Sequence, residues 1–128
     1  MTNVEYLDRE LMDNVYLISK GVRTVYYGAI HLKKEELYEY MDYKTYNFLD
    51  VLELFKEYIE EFNLFMYVQE IEDMGENFID YWVYKYKHQK NILDLIYQEQ
   101  NNYLKQWMMG KLLGYSDEAM EEFLNQIR

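Results

Sequence analysis

The spacing of apolar positions divides the chain into segments. Val4, Leu7, Leu11, Val15 and Ile18 recur at intervals of three and four, which is one stripe of a helix. Glu5, Asp8, Arg9, Glu10 and Asp13 fill the rest of its surface. Thr2 or Asn3 can cap this helix, and Lys20–Gly21 reads as its stop. Residues 22–30 hold several good strand formers and read as an extended or irregular connection. Leu32, Leu37, Tyr40 and Met41 predict a short helix over 32–42. From Tyr46 a longer stripe follows, through Leu49, Leu52, Phe55, Ile59, Phe62 and Met66. Its period can be traced through Val68 to Ile71 and on to Gly75.

Residues 77–115 hold both tryptophans and the longest helical pattern of the chain. Phe78, Ile79, Trp82, Val83 and Tyr86 match a helical stripe that continues through Leu93, Ile96, Tyr97, Leu104, Trp107 and Met108. The competing pattern breaks the preceding helix at Asn63. It makes 64–71 a strand that pairs with 78–86 through the turn at Glu72–Asn77. Ser116 is placed to cap a last helix, with Asp117 and Glu118 in its first turn.

The expected fold is mainly α: four to five helices in a single helical domain over 1–128, packed around a long helical hairpin that folds back at Gly75. One short β-hairpin, and hence an α+β fold, is the alternative. Composition agrees with long helices, because the chain has no proline and five glycines where a turn-rich fold needs more of both.

Other classes are set aside by what is missing. Without cysteine there is neither a disulfide framework nor a thiolate metal site. The first residues carry neither the basic nor the apolar region of a signal peptide. No apolar run is long enough for a membrane span. His31 and His88 lack the Glu-x-x-His spacing of a di-metal bundle. The five Ser and Thr residues sit in no nucleophile elbow. The segment Gly110–Gly114 is not a Walker loop, whose lysine follows the second glycine. The expectation is a protein that is not an enzyme and has no metal or cofactor.

Charge is the more informative feature. The net charge is −11, which opposes binding to phosphates and favours basic surfaces. The acids are also unevenly placed. Residues 50–80 carry ten acids and one base, Lys56, whereas 81–111 carry two acids and five lysines. Such an acidic ridge can stand in for phosphates on a basic groove. Sixteen tyrosines supply contact area at low entropic cost.

The tail WMMGKLLGYSDEAMEEF, Trp107 to Phe123, resembles the ends of small uncharacterised proteins of bacteriophages and prophages of low-GC bacteria. It spans about 17 of the 128 residues. The resemblance implies a phage accessory protein acting in the cytoplasm of the host cell. It carries over no site residue.

The expected function is a non-catalytic, acidic inhibitor of a host nucleic-acid-handling or defence protein with a basic surface. Its contact residues are Asp50, Glu53, Glu57, Glu60, Glu61 and Glu70, with Tyr58, Tyr67 and Tyr81 as anchors. The alternative is a self-associating structural or regulatory protein that uses the aromatic stripe of 78–108.

Overall fold

The computed structural model describes residues 3–31, 38–39, 45–46 and 48–126. The elements run α1 (Asn3–Ser19), β1 (Val25–His31), β2 (Tyr38–Glu39), β3 (Thr45–Tyr46), α2 (Phe48–Glu61), β4 (Phe65–Asp73), β5 (Glu76–Tyr84), α3 (Gln89–Gln98), α4 (Asn102–Leu112) and α5 (Asp117–Gln126). The chain separates into two compact units, 1–86 and 87–128.

The fold is α+β, which corrects the mainly α expectation. In the first unit, β1, β5 and β4 form an antiparallel sheet in that order. β4 and β5 pair without interruption from Phe65–Tyr84 to Asp73–Glu76. The long helical hairpin is therefore a β-hairpin. Its helical appearance has a physical cause. β5 is the central strand, and every residue from Ile79 to Tyr84 is buried. A strand buried on both faces is a continuous apolar run and shows no alternation. Any helical template then finds matches in it.

Backbone geometry sets the same boundaries. α2 stops because Asn63 adopts a left-handed conformation, φ 58°. The Asn63 N–H donates to the Glu60 carbonyl and the Leu64 N–H to the Ile59 carbonyl, the bond pair of a Schellman ending. The hairpin turn is Met74–Gly75, both at positive φ (52° and 79°). That is the type I′ geometry whose twist matches paired strands. Lys20–Gly21 does end α1: the Gly21 and Val22 N–H groups donate to the Ile18 and Leu17 carbonyls.

One face of the sheet carries the core. Tyr26, Ile79, Tyr81 and Val83 meet Leu11, Val15 and Ile18 of α1 and Phe55 and Ile59 of α2. Full burial of each aliphatic side chain is worth ~1.5–3 kcal/mol. The Tyr81 ring is central, with Phe55 and Tyr26 at centroid distances of 6.2 and 6.1 Å. Gly28 lies opposite Tyr81 in the register. A β-carbon there would run into the phenol ring, so the strand needs glycine for this close approach. On the opposite face, Tyr27 packs on Trp82 at 4.7 Å and Phe65 stacks on Tyr84 at 5.3 Å.

Most of the helix expected over 32–42 lies outside the described residues. Within that range Tyr38–Glu39 is a strand, paired with Thr45–Tyr46.

The second unit holds α3, α4 and α5. The stripe that suggested one helix through 78–108 is broken at Glu99, which is extended. Asn101 caps α4 by accepting from the Leu104 N–H at 3.0 Å. Ser116 caps α5 by accepting from the Ala119 N–H at 3.1 Å, as its position predicts. Gly110 lies where a β-carbon would overlap the Met120 thioether, so any larger residue there would require the Met120 side chain to move.

Candidate interaction surface

The acidic residues of α2 are sorted by its amphipathic pattern. Phe55 and Ile59 are fully buried. Asp50, Glu53, Glu57, Glu60 and Glu61 are all exposed. Glu53, Glu57, Glu60 and Glu61 follow at i, i+4, i+7 and i+8, so they form a band on the outer side of the helix. Lys56 is exposed among them, three residues after Glu53 and four before Glu60.

Glu70 joins this side of the molecule through the sheet register. It stands opposite Ile79, Val68 opposite Tyr81, and Met66 opposite Val83. Ile79, Tyr81 and Val83 lie in the core beneath the helices. Met66, Val68, Glu70 and Glu72 are therefore on the helix-covered face of β4. Glu70 and Glu72 are exposed there, and Asp73 and Glu76 close the hairpin beyond them.

The three tyrosines named as anchors are placed differently from one another. Tyr58 is half-buried, its ring 5.2 Å from that of Phe62. Tyr67 stands opposite Trp82, on the sheet face away from α2. Tyr81 is 0% exposed, which removes it from any contact surface. Burial pushes its phenol up to about 12. The Tyr26 hydroxyl pulls that value partly back, without the two meeting in hydrogen-bond geometry; no described residue satisfies the Tyr81 hydroxyl.

Sequence reasoning missed three exposed apolar residues beside the acids: Phe65, Val68 and Met74, the last 96% exposed at the hairpin tip. The available signal was the Asp73–Met74–Gly75–Glu76 turn, which exposes Met74 once a hairpin is accepted. A shallow pocket of about 370 Å³ lies where α2 meets β4, lined by Lys56, Glu60, Leu64, Phe65, Met66 and Tyr84.

Asp80 is the buried acid of the run, 9% exposed. It accepts a 2.9 Å hydrogen bond from the Tyr27 hydroxyl. Burial, then the Asp80 charge, raises the Tyr27 phenol above its ordinary value. Asp80 lies on the sheet face opposite α2, so it is a structural acid and not part of the exposed band.

Among the described residues, no three of His, Cys, Asp and Glu gather as a metal site would require. No described helix is long and apolar enough to cross a membrane. Of the two tryptophans in the stripe of the self-association alternative, Trp82 is fully buried in β5 and Trp107 lies on α4. No protein-family model and no curated protein matches the chain.

Proposed function

We propose that this chain is a non-catalytic interaction protein whose acidic surface occupies a basic site on a partner. The observation that carries the reading is the exposed carboxylate band of Glu53, Glu57, Glu60 and Glu61 on one side of α2. Glu70 and Glu72 extend it on the same side of the sheet. Carboxylates fixed on a folded helix mimic the regular charge of a phosphate backbone, and complementary potential speeds encounter and selects partners. The net charge of −11 directs the same preference.

The partner in this reading is a host nucleic-acid-handling or defence protein, met in the host cytoplasm by a phage-type inhibitor. The resemblance of the Trp107–Phe123 tail to phage accessory proteins is the support for that setting. Phe65 and Val68 replace Tyr81 as apolar contacts beside the acids, because they are exposed and it is not.

The test is affinity capture from host lysate with the wild-type chain and with a Glu57→Lys, Glu60→Lys, Glu61→Lys variant. The expected result is a basic protein that is released by salt and lost from the variant. Equal capture by both chains would remove the acidic band from the account.

A further inference from the structure

Among the described residues, β4 is an edge strand with no strand on its outer side. Its pair Asp73–Glu76 closes a two-residue turn. Such a closing pair exchanges both hydrogen bonds, and hydrogen-bonded and non-bonded pairs alternate from there. Ile71, Gln69, Tyr67 and Phe65 consequently bond to β5. The N–H and C=O groups of Met66, Val68, Glu70 and Glu72 point the other way. These four residues have no outward backbone hydrogen bond among the described residues. Val68 is 44% exposed and Phe65 is 39% exposed, as an uncovered edge requires.

Natural edge strands are blunted by charged side chains, by proline, bulges or short length, or by a covering helix or loop. Of these, among the described residues, β4 carries charge alone, and that charge is acidic. It is nine residues long, FMYVQEIED, and contains neither lysine nor proline. Its register against β5 shows no bulge. Its charges are all negative: Glu70, Glu72 and Asp73.

We infer that the outer edge of β4 accepts an extended, lysine- or arginine-rich segment of a partner protein as a fourth strand. This rests on the acidic-capture reading above and names the form in which the partner binds. Main-chain bonds to Met66, Val68, Glu70 and Glu72 supply affinity that does not depend on sequence, and alternate side chains supply selectivity. Basic side chains on one face of the added strand meet Glu70 and Glu72. At the other end of β4, the pocket beside Phe65 is lined by Lys56 as well as Glu60, so its charges offset and the basic side chains are drawn to Glu70 and Glu72. Charge complementarity is what selects a basic segment over other strands.

The test uses an eight-residue peptide alternating lysine and threonine, and the same peptide N-methylated at every backbone amide. Both carry the same charge, but the second cannot donate strand hydrogen bonds. Amide exchange is followed by NMR on the full chain. The plain peptide is expected to protect Met66, Val68, Glu70 and Glu72, while the methylated one binds about tenfold or more weakly and protects none of them. The Val68→Pro variant removes an outward N–H without touching a β4–β5 bond, and it should lose the plain peptide similarly.

Equal binding of the two peptides, or binding without protection of these amides, overturns the inference. Protection at β1 instead also overturns it. Protection that grows with protein concentration in the absence of peptide identifies a second copy as the occupant and overturns it too. The Glu57, Glu60 and Glu61 reversal separates this from the underlying reading: if reversal weakens the peptide but methylation does not, acidic capture stands and strand addition falls.

Discussion

Gly28 on β1 faces Tyr81 on β5, and the Tyr81 phenol occupies the space that a Gly28 β-carbon would need. An aromatic ring laid over a strand glycine covers backbone that would otherwise meet water and fixes the register of the pair. Gly28→Ala should force the ring out of its place between Phe55 and Tyr26. Overpacking of this kind costs ~1–3 kcal/mol. Urea denaturation should show a lower midpoint with little change in slope.

The hairpin turn holds a non-glycine residue at φ 52°, the exposed Met74. The first central position of a type I′ turn favours asparagine. Met74→Asn should therefore stabilise the first unit by part of the ~1–2 kcal/mol that left-handed backbone costs most residues. Thermal unfolding followed by circular dichroism checks this, and a lower melting temperature would count against the turn assignment.

Tyr81 makes stability depend on alkaline pH. Folding raises its phenol from an ordinary value near 10 to about 12, so the folded chain holds the proton more tightly than the unfolded one. The resulting stabilisation is complete below pH 10 and drains away as pH rises through 12. Tyr26 and Tyr27, raised in the same direction, steepen the loss. Tyr81→Phe removes a buried hydroxyl that lacks a partner among the described residues. It should leave stability at pH 7 unchanged or raise it by up to ~1 kcal/mol, and it should flatten the alkaline limb. Ultraviolet titration of the phenols, run beside urea melts at several pH values, reads both effects.

Asp80 is buried and accepts from the Tyr27 hydroxyl. Tyr27→Phe takes one hydrogen bond from a carboxylate that is 9% exposed. Bonds to charged groups are worth ~1.5–3 kcal/mol, and a destabilisation in that range is expected in equilibrium unfolding. A change within error would mean that Asp80 is held by its other contacts alone.

Local signals in the sequence were readable where they acted locally. The Leu11, Val15 and Ile18 stripe of α1, the Lys20–Gly21 stop and the Ser116 cap each depend on a few neighbouring residues, and each is found in place. The outer acids of α2 were readable for the same reason, since helical amphipathicity sorts them without help from the rest of the chain. The 78–84 segment was readable only as the alternative to a helix, because its strand character comes from burial on both faces and leaves no alternation to decide between the two. The turn before it lacks the Asn-Gly pair that announces a type I′ hairpin, and Asn101 was hidden by a stripe that continues across it. Tyr81 illustrates the consequence for the candidate surface. As part of a helix it could have been a contact anchor; in β5 its position opposite Gly28 sends it into the core.

The central claim is that the carboxylates on the outer side of α2 hold a basic partner. It is tested most directly by titrating the captured host protein against wild-type chain and against the Glu57→Lys, Glu60→Lys, Glu61→Lys variant over a range of ionic strength. The account predicts that wild-type affinity falls steeply with salt, and that the variant binds about tenfold or more weakly at low salt with a much flatter dependence. Matching affinities and matching salt dependence for the two chains would contradict it.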